Sequence, residues 1–365
     1  LWNRAREPGI STGSRGPTAS RSPAGIPKAG SATPDTKTRG TNLRTNPFSL
    51  FFVVTALGIM RFSAAAAATT PPAPPPIRVV VRAFDNLNEE PSLKRLELRD
   101  HLARLVEEDL RALPYIQILP RPKPGFLSRN AEFIVRGDYL TLANGRSRLS
   151  ARLLGRDGSA VATWSEEAAS WRALTSQRHD TDPEEASGRQ RSPVRALTAR
   201  IAQELLRQYT LRQLDALRGS PHAVVASIRL EPRKEAYLNG ERVSIIITPE
   251  EACHVTALHV RAGNDVRLIC PAPDQEDGAA RAKREYVVGG RALPIQSIQP
   301  WGAEESRVLI FLTREPLVLS PERRNARAPE EQLRLLQALV EALNALPADR
   351  WSDREMALRF LAPSP

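Results

Sequence analysis

An apolar run from Phe48 to Ala68 (FSLFFVVTALGIMRFSAAAAA) leads straight into the Pro-rich stretch Thr69 to Pro76 (TTPPAPPP). Together they divide the chain. Proline fixes φ and removes a backbone donor, so residues 69–76 read as an extended linker. The first segment that reads as folded therefore begins at Ile77. The apolar part proper, Phe48 to Met60, is shorter than the ~20 residues a spanning helix needs. With Arg44 as a basic flank and Ala64 to Ala68 as a small-residue cleavage zone, residues 48–68 read as a signal peptide. The expected location is periplasmic or secreted after cleavage. The alternative is a signal-anchored inner-membrane protein, which meets the membrane only through an uncleaved signal. Residues 1–47 are expected to be a disordered basic segment or an over-called start.

The location of the charge weighs against one function class. The net charge is +11, and residues 1–47 hold eight Lys/Arg against two Asp/Glu, or +6. Arg61 adds one, so only +4 remains for the rest of the chain. A mildly basic body with no nucleic-acid partner is expected, because export removes most of the excess. A nucleic-acid binder acting through the basic N-terminus remains an alternative only if that segment is retained.

From Ile77 the pattern alternates between sheet and helix. Ile77 to Phe84 (IRVVVRAF) is β-branched and reads as a strand. Leu96, Leu102, Leu105, Val106, Leu110 and Leu113 recur at helical spacing, predicting a helix over Leu93 to Leu113. Tyr115 to Leu119 reads as a strand parallel to the first, joined by the helix as a crossover. Glu132 to Leu142, Ser147 to Leu154 and Ala160 to Glu166 follow as an antiparallel meander, with turns at Asn144–Gly145 and Arg156 to Gly158. A polar stretch, Thr175 to Arg191, reads as a loop. Ser192 is placed to cap a helix with Pro193 at its first position, running to Gly219. The arginines of its second half, Arg207 to Arg218, alternate with leucines and read as the wet face.

The order of these elements resembles the TolB amino-terminal-like domain. That set includes the FlgO-type flagellar outer-membrane lipoproteins and the curli-secretion CsgG proteins. The likeness rests on the strand ending Phe84–Asp85–Asn86, the acidic-leucine run LVEEDLRAL, and the hairpin end from Gly158 to Trp164–Ser165. It covers about 140 residues and implies a fold, an α/β domain over 77–219, but no chemistry. Neither cysteine lies near the leader, so the chain departs from the lipoprotein members.

Residues 222–365 read as a second body. Short strands recur at Ala223 to Leu230, Arg242 to Thr248, Cys253 to Arg261, Val266 to Cys270, Glu285 to Val288, Leu293 to Ile295 and Arg307 to Thr313, which argues a β-sandwich. Glu330 to Leu346 reads as an amphipathic helix, and Trp351 with Met356 to Leu361 as a closing strand. The entry Tyr237 to Val243 and the hairpin Cys253 to Pro271 resemble a bacterial β-sandwich family of uncharacterised function. That family is often appended to caspase-like peptidases, kinases or envelope proteins. The fold class expected for the whole is α+β: a mixed-sheet α/β domain, then a β-sandwich with a C-terminal helix.

Chemistry is hard to find. A tight turn at Gly263–Asn264 that pairs Ala262 with Asp265 sets Cys270 opposite Ala257. That leaves Cys253 ~13 Å along the strand, too far for a disulfide. Both cysteines, Cys253 and Cys270, are therefore expected to be buried thiols. Among His101, His179, His222, His254 and His259 no pair has metal-ligand spacing; His254 and His259 fall on opposite faces of one strand. Trp164 and Trp171 read as core. No nucleotide loop or nucleophile elbow occurs, and no catalytic residue, metal or cofactor is expected. The one acidic cluster where ligands often sit is Asp85, Glu89 and Glu90, at the carboxyl end of the first strand. It reads as a helix-capping turn or a partner-binding turn.

The chain is thus expected to be a non-enzymatic, exported cell-envelope protein, a binding or assembly module with envelope proteins as partners. An accessory subunit of an envelope signalling or peptidase system is the alternative.

Overall fold

In the computed structural model, residues 73–88, 93–122, 130–175, 192–272, 277–289, 295–297, 303–320 and 326–362 are described. The proposed leader, Glu89 and Glu90, His179 and the side chain of Trp171 lie outside them. The fold is α+β, with mixed sheets and a C-terminal helix.

The first sheet runs in the order β3-β1-β4-β5-β6, with a short β2 (Asp85–Asn86) on β4. The strands β1 (Ile77–Val81), β3 (Ile116–Ile118) and β4 (Phe133–Thr141) are parallel neighbours. β5 (Ser147–Gly155) and β6 (Ala160–Ala168) complete an antiparallel meander. Alternation explains the layering. Phe133, Val135 and Tyr139 of β4 and Leu149, Ala151 and Leu153 of β5 sit on one face. They meet Leu102, Val106 and Leu110 of α1 (Leu93–Arg111) and the first half of α3 (Pro193–Ala216). A short α2 (Trp171–Thr175), absent from the sequence reading, follows β6. Ser192 caps α3 through Oγ, which accepts from Arg195 N at 3.4 Å. The helix ends at Ala216, not Gly219, because Leu217 is already extended; Gly219, two residues on, lies too close to the Trp351 backbone for a Cβ.

One side chain ties three elements of this body. Glu132 accepts from Arg78 Nε of β1 at 3.2 Å and from Arg212 of α3. Burial pushes its carboxyl upward, but the bonds from Arg212 and Arg78 outweigh that and hold it below the usual carboxylate range.

The second body has three layers. The large sheet runs β11 (Val266–Cys270), β10 (Cys253–Val260), β14 (Glu304–Thr313), β15 (Trp351–Leu361), β8 (Tyr237–Leu238), with β12 (Ala279–Ala280) on β10; the small sheet runs β13 (Tyr286–Val288), β9 (Ser244–Pro249), β7 (Ala226–Glu231). Between them lie Val255, Ala257, Val308, Ile310, Leu358 and Phe360 from one side and Ile245 and Ile247 from the other. The third layer is helical. Leu258, Val260, Leu309 and Phe311, on the outer face of the large sheet, are covered by Leu335, Leu336, Leu339 and Leu343 of α4 (Pro329–Ala345) and by Leu211 and Leu214 of α3. Each such leucine contributes about 1.5–3 kcal/mol of burial, enough to fix α4 on its own sandwich.

The hairpin of β10 (Cys253–Val260) and β11 (Val266–Cys270) corrects the expected turn. It holds three residues, Ala262–Asn264, closed by Arg261 N donating to Asp265 O at 2.9 Å. A bulge between Ala257 and Leu258 then restores the pairing of Ala257 with Cys270. The expected pairing stands because two one-residue shifts cancel. Both cysteines are free and buried. The closing strand β15 (Trp351–Leu361) is continuous; of the strand expected at Leu293 to Ile295 only Ile295 lies among the described residues, and it bridges to Val243. Among the described residues, no helix is long and apolar enough to cross a membrane.

Gly137 of β4 lies under the Phe84 ring, where an added Cβ would overlap ring carbons. Phe84 is fully buried, so the ring has nowhere to move. Gly137→Ala is expected to cost about 1–3 kcal/mol by overpacking, read as a lower urea midpoint with unchanged slope.

Candidate functional site

The acidic turn foreseen at the end of β1 is partly described. Asp85 does not cap a helix. Its carboxylate meets Arg136 of β4 at 3.1 Å and Arg99 of α1 at 3.5 Å, and Arg99 Nε also donates to Phe84 O at 3.0 Å. Two arginines already use the charge, so Asp85 serves as a brace between sheet and helix.

The second half of α3 overturns the wet-face expectation at Arg207, while Arg218 is exposed as expected. Arg207 is buried and lies beside Glu204, one turn earlier and equally buried. The guanidinium donates through Nε to Glu204 Oε2 at 2.9 Å and through Nη2 to Glu204 Oε1 at 2.6 Å. It also donates to the carbonyls of Gly263 and Asn264, in the β10–β11 turn, and to Gln332 Oε1 of α4 at 3.2 Å. Gln208 Nε2 donates to Glu204 Oε1 at 2.7 Å, and the Asn264 amide donates to Gln208. Gln332 Nε2 donates to Asp265 Oδ1 at 2.6 Å. The three-residue turn is needed here, because it turns two carbonyls toward Arg207. Gly263 and Asn264 take positive φ, which glycine and asparagine tolerate best. Sequence reasoning missed this cluster. The signal was present, since Glu204 and Gln208 fall on the same helical stripe as Ile201, Leu205 and Leu211.

A cleft of about 540 Å³ opens beside it, over one end of β10, β14 (Glu304–Thr313) and β15. Its rim carries exposed Glu235, Glu305, Glu355 and Arg359 and the half-buried Arg307. Arg307 bonds Asp215 of α3 at 2.7 Å and Glu355 at 3.3 Å. Ser306 and Arg261 form the inner wall. Arg261 is buried, pairs with Asp265, and its Nε has no hydrogen-bond partner among the described residues.

Behind the wall, His259 Nε2 lies 3.0 Å from Ser306 Oγ. A serine against a histidine at a cleft is the arrangement from which nucleophilic catalysis is built. The electrostatics here oppose it. Burial, then Arg261 and Arg267, push the His259 pKa down to about 4. A general base must gain a positive charge as it works, and two guanidinium groups resist that. The thiols are equally quiet: burial raises Cys253 to about 11 and Cys270 to about 12, so both stay protonated at neutral pH. His254, on the opposite face of β10 from His259, lies 3.5 Å from Asp277. His101 and His222 are exposed. Among the described residues no cluster of His, Cys, Asp and Glu could hold a metal ion. Trp164 is partly buried against the first core.

Two outcomes are expected. Arg207→Met leaves Glu204 buried without its counter-charge and should cost about 3–5 kcal/mol, whereas adding Glu204→Leu should recover much of the loss. Thermal unfolding of the single and double variants measures both. For His259, the folded pKa of about 4 lies below the ordinary 6.5. The unfolded chain therefore binds the proton that the native chain refuses, and stability falls as pH drops from 6.5 toward 4. The loss reaches about 3 kcal/mol, and His259→Gln should flatten that part of the curve of stability against pH.

No protein-family profile matches the chain, and no curated protein matches it. Among solved structures it is similar to a dodecamer of a single-residue variant of PelC from Paraburkholderia phytofirmans. The identity is 22%, over 27% of this chain and 79% of that one, with a TM-score of 0.20. A likeness at that score carries no argument about fold or function.

Proposed function

We propose that this chain is an exported, non-enzymatic protein of the cell envelope, a binding or assembly module whose partners are envelope proteins. Its first body is a TolB amino-terminal-like domain and its second an accessory β-sandwich. The leader pattern over 48–68 and the linker over 69–76 support export. The observation that carries the binding role is the cleft. Exposed carboxylates and arginines stand there on a frame of strands braced by α3 and α4, while the histidine behind it is held in an unreactive state. A rigid rim of mixed charge fits recognition of a folded polar surface, because the rim loses little freedom on binding.

The test combines location with contact. The full chain, expressed in its native host, is fractionated, and the mature N-terminus is sequenced. Cleavage between Ala64 and Thr69 with recovery outside the inner membrane is expected. A photocrosslinker at Glu305 should trap one defined envelope protein, whereas the same group at His101 on α1 should not. Recovery of the uncut product in the cytosol, or steady turnover of a substrate by the purified chain, would overturn the reading.

A further inference from the structure

The large sheet ends in an edge that is only partly used. β15 pairs with β14 from Trp351 to Phe360. Its other side is paired by β8 (Tyr237–Leu238) only at Phe360 and Leu361. Among the described residues, no strand covers that side from Asp353 to Arg359. One bond sets the direction of its backbone groups: Asn239 N donates to Leu361 O at 2.9 Å, so the Leu361 carbonyl points toward β8. Hydrogen-bonding direction repeats every two residues along an antiparallel strand. The backbone groups of Arg359, Ala357 and Glu355 therefore face the same open side. The far end is closed by Arg354, which donates to Asp353 O at 2.7 Å and to Pro221 O at 3.2 Å. Between these two closures lies a template from Glu355 to Arg359. The side chains of Glu355, Ala357 and Arg359 are exposed along it. An unpaired edge of this kind is a place for another strand to add.

The order of residues on the template is self-complementary. Consider a second β15 laid antiparallel about a two-fold axis through Ala357. Glu355 then faces Arg359 of the partner subunit, and Arg359 faces Glu355 of the partner subunit. On the other side of the strand, Met356 comes opposite Leu358 of the partner subunit. The residue on the axis, Ala357, is small enough to face itself. Opposite charges directly across a ladder stabilise it, and like charges oppose it. An axis through Glu355 or through Arg359 would set that charge against itself, so the two-fold at Ala357 is selected over those registers.

We propose that a second copy of this chain docks on β15 and joins the two large sheets across a two-fold axis. The interface is isologous, as in most homodimers. It does not depend on the envelope reading. It does affect the cleft, because Glu355, Ala357 and Arg359 line that cleft as well, so the partner's strand lies along its wall.

The experiment is the mass of the purified full chain in solution, by sedimentation and light scattering across a hundredfold range of concentration. Twice the mass of one chain is expected for the wild type. Arg359→Glu sets carboxylates against each other and Glu355→Arg sets guanidinium groups against each other, so each variant alone should be monomeric. Mixed in equal amounts, the two should recover the doubled mass, because every cross-strand pair is then opposite in charge. Ala357→Pro deletes the backbone donor at the axis and should also be monomeric. Proline is tolerated on an edge whose N–H is free, and circular dichroism checks that the fold survives. If that variant does not fold, the charge variants decide alone, since they alter exposed side chains; Glu355→Arg also removes the pair with Arg307, so Arg359→Glu and the mixture carry the decision. A monomeric wild type, a doubled mass kept by Arg359→Glu, or no recovery on mixing would overturn the proposal.

Discussion

The buried bond between Arg207 and Glu204 is the constraint at the junction of two cores that share one helix. Helix α3 has 24 residues, or about 36 Å of length, and it serves two cores in succession. Val194, Leu197, Ile201 and Leu205 close the first sheet, and Leu211 and Leu214 close the outer face of the sandwich. Arg207 sits at the handover, buried between the two cores. A lone charge there would be costly, so every group is matched: Glu204 by Arg207 and Gln208, and Arg207 by the turn carbonyls and Gln332. Such a pair is weak evidence for net stability. Its stronger effect is registry, because only one rotation and one translation of α3 satisfy the turn and α4 together. The linker is held in the same way, since Tyr209 donates its hydroxyl hydrogen to Pro74 O at 3.2 Å.

Sequence reasoning reached most of the framework because the framework is periodic. Alternation in Phe133–Thr141 and Ser147–Gly155, and helical spacing in Leu93–Arg111 and Pro193–Ala216, report faces that must be buried, whatever they are buried against. The failures came where two bodies share an element. An arginine flanked by leucines reads as solvated when one core is assumed, and Arg207 becomes buried only when a second core covers its side of the helix. The register of the β10–β11 hairpin failed locally for the same reason. A two-residue turn is the best isolated solution, but the third residue lets the turn carbonyls reach Arg207. The missed short strands β8 and β12, two residues each, carry no period at all.

The candidate site was less legible still. Its members, Glu235, Arg261, Glu305, Arg307 and Arg359, are spread over four segments and show no spacing in the chain. What brings them together is the antiparallel ladder, which sets Val260 beside Arg307 and Arg307 beside Ala357. Of the acidic turn that did stand out in sequence, Asp85 braces sheet to helix through Arg99 and Arg136, and Glu89 and Glu90 lie outside the described residues.

Rigidity and charge place opposite demands on one end of the sandwich, and its chemistry follows from how they are met. A charge-bearing rim must stay wet to remain ionised, while the wall behind it must be dry enough to hold shape. The ladder separates the two by parity. Glu305, Arg307, Ala357 and Arg359 point to the outer face, whereas Glu304, Ser306 and Leu358 point to the interior. Interior polar groups then have to satisfy one another, as Ser297 does by donating to Glu304 Oε2 at 2.5 Å and as His259 does with Ser306. That mutual satisfaction removes the freedom a catalytic group needs, because a base already dried and surrounded by guanidinium groups cannot take a proton near neutrality. The outer groups, Glu305, Ala357 and Arg359, are exposed. An exposed rim of mixed charge on a packed wall is the feature that the proposed binding role draws on.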